Sequence, residues 1–181
     1  MSGQIGCGQP GILTRITPAI DIDVLDEVVA DKLQRLAEQM IGASATRIGQ
    51  APKRALLFRT DSPFDKISTP VYTSSDGRVH KVEVLCRGQQ IVVYGIHPNT
   101  RRPYTWVGAK PGPELKRDAL PLLTAEKAAE FIEAAARCMS EQGWTPKKST
   151  NRQTDGKWNA QTPGCERERI YARAALDRCA D

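Results

Sequence analysis

Two aspartates on either side of one isoleucine, Asp21-Ile22-Asp23, are the sharpest chemical feature of the chain. Ile20, Ile22 and Val24 alternate with them, a period of two that reads as a strand with β-formers on one face and both carboxylates on the other. On such a strand the two carboxylates stand roughly 6–7 Å apart along one side. Aspartate is a poor strand former, and like charges side by side repel. A divalent cation relieves that repulsion, and paired carboxylates on a rigid strand suit Mg²⁺-assisted phosphoryl transfer. The plainer alternative is a solvent-facing polar edge. Glu83, inside the run Val79-His80-Lys81-Val82-Glu83-Val84-Leu85, is a candidate third carboxylate. Its plainer alternative is an exposed strand residue paired with a neighbouring lysine.

Cations gather between these acids. Arg47, Lys53, Arg54 and Arg59 surround Gly49 and Pro52, and cations beside a small-residue turn can hold phosphate oxygens. A merely solvated basic loop fits the same residues. If the segment lies beside the carboxylates, the two together form a cradle for a triphosphate. His97 stands at a strand end, where a ligand contact or a structural role is open to it. Tyr104 and Trp106 either stack on a base or pack across a sheet.

The elements that must position these groups follow from periodicity. The first ten residues, with Pro10, read as a loop, and residues 18–24 as a half-buried strand. Leu25, Val28, Val29, Leu33, Leu36, Met40 and Ile41 recur at spacings of three and four, which predicts an amphipathic helix closed by Gly42. Ala55–Arg59 reads as a buried strand and residues 60–77 as a long loop ending in Asp76-Gly77. Val79–Leu85 and Gln90–Tyr94, four residues apart, predict an antiparallel hairpin. From His97 to Pro121 the chain is turn-rich, with a short Tyr104-Thr105-Trp106 segment. Thr124 caps a second helix with Ala128, Phe131, Ile132, Ala135 and Met139 on one face and Gly143 at its end. Residues 145–164 are polar, basic and periodless, and Glu166–Cys179 again reads as helical. The order predicts an α+β domain on a small, mostly antiparallel sheet flanked by helices.

Composition narrows the field. The 181 residues are enough for one domain with a real core, and 40% hydrophobic against 26% charged is a globular balance. Net charge is +5, from 26 basic and 21 acidic residues, which favours polyanionic partners without naming one. Cys7, Cys86, Cys138, Cys165 and Cys179 are odd in number and include no C-x-x-C pair, so a zinc site or disulfide framework is not expected and buried reduced thiols are. No apolar run approaches the roughly 18 residues of a membrane span, and Met1–Gly6 lacks the pattern of an export signal. The expectation is a cytoplasmic protein with no membrane partner. Gly6-Cys7-Gly8-Gln9-Pro10-Gly11 matches G-x-G-x-x-G, but no strand can precede it and no helix follows, so the dinucleotide reading fails. The chain carries no P-loop, no G-x-S-x-G and no H-E-x-x-H.

In this order, Asp21-Ile22-Asp23, Arg47-Ile48-Gly49-Gln50-Ala51-Pro52-Lys53, Lys81–Gln90, Gly95-Ile96-His97-Pro98-Asn99-Thr100 and Tyr104-Thr105-Trp106 resemble the bifunctional primase-polymerase domain of the archaeo-eukaryotic primase superfamily. The resemblance runs from about Ile12 to Trp144, and Arg167–Leu176 is similar to the helix that follows such domains. It implies an RRM-like palm in which Asp21, Asp23 and Glu83 hold two divalent ions, Mg²⁺ or Mn²⁺, and carry catalysis. The family's second motif usually holds a phosphate-contacting histidine, and here Lys53 stands at that point, with Arg47 and His97 as further nucleotide contacts. His97 follows the third motif and is not moved into the second. The implied partners are a DNA template-primer, nucleoside triphosphates and a replicative helicase, in a phage, plasmid or integrated element. Family members carry another αβ unit ahead of the first acidic strand, where this sequence has about twenty residues, so a shortened palm is expected over residues 1–144. A basic linker or flap over 145–165 and the start of a helical segment over 166–181 complete the division. A non-catalytic nucleic-acid-binding remnant, or another metal-dependent nucleotidyltransferase or nuclease, are the competing readings.

Overall fold

A computed structural model describes residues 9–147. In chain order it holds β1 (Gly11–Leu13), β2 (Ala19–Asp23), α1 (Glu27–Met40), β3 (Thr46–Ile48), β4 (Arg54–Leu57), β5 (Ile67–Ser68) and β6 (Tyr72–Thr73). There follow β7 (Val79–Leu85), β8 (Gln90–Val92), β9 (Thr105–Val107), a 3₁₀ turn at Arg117–Ala119, α2 (Ala125–Glu141) and β10 (Thr145–Pro146). Two helices against a mostly antiparallel sheet make an α+β fold, as the sequence order implied.

The main sheet runs β10-β6-β7-β2-β4-β3-β9, with β5 also on β7, and every ladder in it is antiparallel. Alternation along β2 decides its two faces. Ile20 and Ile22 point to the helices and are fully buried with Leu56, Phe58, Val82 and Val84 against Val29, Leu33, Ala37, Phe131, Ala135 and Met139. Ala19, Ala55 and Leu57 point the other way, into a second cluster with Ile91, Val93 and Leu120. The sheet formed by β1 and β8 supplies Ile91 to that cluster, with Ile12 packed against it. One half of this second face is therefore covered, and the carboxylates lie on the rest of it.

Capping fixes the helices. Asp26 Oδ1 accepts from the Val29 N–H at 3.0 Å, and Thr124 Oγ1 from the Lys127 N–H at 3.3 Å. Each helix ends just ahead of a glycine in the left-handed region, Gly42 at φ +134° and Gly143 at φ +74°. Val28, placed by periodicity on the apolar face of α1, is instead 76% exposed.

The hairpin expected between β7 and β8 does not form. β7 already pairs with β2 on one edge and with β5 and β6 on the other, so it has no edge left to offer. The connection is also turned out of the sheet: Thr14 Oγ1 donates to the Cys86 carbonyl at 2.6 Å, and the Arg87 N–H to the Phe64 carbonyl at 3.0 Å. β8 pairs with β1 instead, Ile12 opposite Ile91. The long loop expected over 60–77 contains β5 and β6, each too short to show a period. The sheet also reaches into the segment read as the start of a linker, since β10 pairs with β6, Thr145 opposite Thr73. The rest of that segment, the C-terminal helix over 166–179, and Cys7, Cys165 and Cys179 lie outside the described residues. Cys86 and Cys138 are buried free thiols. No helix among the described residues is long and apolar enough to cross a membrane.

Candidate active site

One row of residues crosses the sheet in register: Trp106 on β9, Arg47 on β3, Ala55 on β4, Asp21 on β2, Glu83 on β7 and Ser68 on β5. Neighbouring strands lie about 4.8 Å apart, so Asp21 and Glu83 are adjacent carboxylates facing the same side. Asp23, two residues along β2, shares that face and stands opposite Lys81. Ala55 has no long side chain to separate Asp21 from Arg47. The three acids that the sequence singled out are thus brought onto one face of two paired strands.

Burial raises the Asp21 carboxyl to about 6, Arg47 pulls against that rise, and Asp23 and Glu83 reinforce it. Burial also pushes the Glu83 carboxyl up, but hydrogen bonds and charge from Lys81 and Lys66 outweigh it and hold the group below its usual value. Asp23 Oδ1 takes the Lys53 ammonium at 2.5 Å. Glu83 Oε1 takes Lys81 at 2.5 Å and Lys66 at 2.9 Å. The pairing of Glu83 with a neighbouring lysine, weighed from sequence as its plainer role, is therefore present alongside its place in the acid group.

A cavity of about 210 Å³ opens on this face, lined by Asp21, Asp23, Arg47, Lys53 and His97 among others. Glu83 stands beside it and not in its wall. His97 arrives from the loop after β8, 48 residues beyond Gly49, and the two meet because Gly49 has no side chain. A Cβ there would come within 2.4 Å of Tyr104 Cε1 and 2.6 Å of His97 Cδ2. Thr100 ties the loop down by donating its hydroxyl to the Gly49 carbonyl at 3.1 Å. The Thr100 N–H donates to His97 Nδ1 at 3.2 Å, so a neutral His97 carries its proton on Nε2 and has a donor left over. His97 meets the Tyr104 ring edge-on at 5.4 Å, and the Arg47 guanidinium sits 4.7 Å from the centre of the same ring. Burial lowers the Arg47 pKa while Asp21 opposes it, and a guanidinium keeps its charge there.

Arg54, which also lines the cavity, and Arg59 are held by other partners. Arg54 binds Asp31 at 2.8 Å and Gln34 at 2.6 Å on α1, and Arg59 binds Asp61 and the Leu120 carbonyl. Trp106 donates its indole N–H to the Val93 carbonyl at 3.0 Å and packs on the second cluster, which is the packing role weighed for it. Lys66 carried no signal in the sequence, because the loop holding it has no period and its target lies 17 residues on.

As the side chains stand, no three His, Cys, Asp or Glu groups among the described residues close on one point as a ready metal cage. The donors fit hard divalent cations in type, all being carboxylate oxygens, and they share one sheet face. Asp23 Oδ1 and Glu83 Oε1 are shielded from solvent. Lysine ammoniums supply the positive charge they need.

Neither the curated proteins nor the solved structures give a match to this chain. A family model described as bifunctional DNA primase/polymerase, N-terminal, matches residues 3–122, which include the acids, Arg47, Lys53 and His97. With more than half of its length matched, the chain belongs to the bifunctional DNA primase/polymerase family.

Proposed function

We propose that this chain is a primase-polymerase palm that adds nucleotides to a 3′-hydroxyl under direction of a DNA template, releasing pyrophosphate. The observation that carries this reading is the facing of Asp21 and Glu83 across β2 and β7, with Asp23 on the same side and Arg47, Lys53 and His97 around one cavity. Asp21, Asp23 and Glu83 would hold two divalent ions, Mg²⁺ or Mn²⁺. Such ions, when bound, supply the positive charge that activates the attacking hydroxyl and offsets the triphosphate. Lys53 and Arg47 neutralise phosphate oxygens from the β3–β4 side, and the free Nε2–H of His97 gives a directed hydrogen bond to one of them. The second strand of the reaction, a DNA template-primer, meets a chain whose net charge is +5. Replication of a phage, plasmid or integrated element in the cytoplasm, with a helicase on the same or another polypeptide, is the setting proposed.

Extension of a labelled primer on a DNA template, with Mn²⁺ or Mg²⁺ and each class of triphosphate, tests this reading. Longer product that Asp23→Asn abolishes supports it. Shortened product would identify a nuclease on the same face, and no product with retained DNA binding would identify a non-catalytic remnant.

A further inference from the structure

Glu83 is held by more positive charge than one carboxylate requires. Lys81 Nζ at 2.5 Å and Lys66 Nζ at 2.9 Å both lie on the same oxygen, Oε1. Lys81 stands directly opposite Asp23 in the β2–β7 ladder, yet its ammonium goes to Glu83 because Lys53 already occupies Asp23. Lys66 is the residue just before β5 and reaches back along that ladder to Glu83, which stands opposite Ser68. The Glu83 side chain is only 19% exposed, whereas those of Lys66 and Lys81 are 37% and 31% exposed. The carboxylate is the more buried partner, and both lysines reach solvent.

Arg47 and Lys53 flank the acids from the β3–β4 side, and Lys66 and Lys81 flank them from the β5–β7 side. We propose that Lys66 and Lys81 are a second phosphate-binding pair, which neutralises Glu83 in the free protein and passes to the triphosphate of a metal–nucleotide complex when Glu83 is taken by metal. The proposal rests on the primase-polymerase reading of the same site. A divalent cation on Glu83 repels both ammoniums, and the polyanion that accompanies the cation gives them a new partner. Metal alone then competes with two lysines, while metal together with a triphosphate does not. The lysines thereby couple the two ligands, so that each raises the affinity for the other.

The test measures binding of Mn²⁺ alone by the paramagnetic signal of the free ion, and binding of a nucleoside triphosphate at saturating Mn²⁺ by calorimetry. Wild type, Lys66→Met, Lys81→Met, Lys66→Arg and Asp23→Asn are compared, with circular dichroism to establish that each is folded. The methionine variants should bind Mn²⁺ alone about 3- to 10-fold more tightly and the triphosphate about 10-fold more weakly, effects of opposite sign. Lys66→Arg should keep both constants near wild type. If wild type binds the triphosphate through Asp23 but the methionine variants leave its affinity unchanged, the pair is a fixed counter-charge and the proposal is overturned while the site stands. Weakening of both constants also overturns it. If wild type binds neither probe, the site reading falls and the proposal falls with it.

Discussion

Asp21 and Glu83 stand directly opposite each other in the β2–β7 ladder, 62 residues apart in sequence and neighbours on one sheet face. Like charges directly across an antiparallel pair destabilise a sheet. The chain offsets that cost with Arg47, Lys53, Lys66 and Lys81, and with a carboxyl at Asp21 that titrates near 6.

That raised value makes Asp21 a cost to the metal-free fold. Its folded pKa of about 6 exceeds the ordinary 3.8, so its stabilising contribution is fully present below pH 3.8 and is lost as pH rises through 6. Asp21→Asn should therefore make the metal-free protein more stable at pH 7.5, by on the order of 1–2 kcal/mol after allowing for Arg47 losing a partner. The gain should shrink towards zero below pH 4. Urea unfolding of both proteins across that range measures it, and an unstable Asp21→Asn at pH 7.5 would contradict the account.

Metal affinity should show the same group from the other side. A carboxyl that binds a cation must first lose its proton. Mn²⁺ affinity of the wild type should rise as pH passes upward through about 6, and titration calorimetry in two buffers of different ionisation heat should detect the released proton.

Gly49→Ala should separate the two halves of the cavity. The added methyl would meet Tyr104 and His97 at 2.4 Å and 2.6 Å, and their rings belong to a loop tied down by Thr100. A cost of about 1–3 kcal/mol is expected, together with weaker triphosphate binding from a displaced His97. Thermal unfolding and calorimetry read the two effects independently.

His80 predicts an acid limb of instability. Its ring is fully buried and stacks on Trp144 at 4.0 Å, with Nδ1 accepting the Leu25 N–H at 3.2 Å and Nε2 donating to Ser74 Oγ at 2.9 Å. Burial and the Arg78 charge lower its pKa from the usual 6.5. The stability it contributes is present above 6.5 and lost as pH falls through the lower folded value. His80→Asn, whose Oδ1 can still accept the Leu25 N–H, should flatten that limb in urea unfolding measured between pH 7 and 5.

Much of the site was legible from local pattern and little of it from topology. The alternation around Asp21 and Asp23 placed both acids on one side of a strand, because the side-chain period of a strand is two residues. The face of α2 carrying Phe131, Ala135 and Met139 was equally readable from its spacing. Periodicity says nothing about which edge a strand will use, however. β8 therefore read as the partner of β7, when β2, β5 and β6 had taken both edges of β7. The meeting of His97 with Gly49 depended on a missing Cβ and on a loop closing over β3, neither of which leaves a period in the sequence. Lys66 was invisible for a similar reason, since only the short β5 ladder brings it to Glu83.

Asp21, Asp23 and Glu83, with the cations around them, are the proposed metal–nucleotide site. It is tested most directly by thermal stabilisation of the chain with Mn²⁺ plus a nucleoside triphosphate, compared with Asp23→Asn. A ligand that binds only the folded state raises the melting temperature whether or not turnover follows. Asp23 is half-exposed, so its replacement leaves the core untouched. Wild type should show a clear upward shift that the variant loses. An equal shift in both proteins, or none in either, would contradict the proposed site.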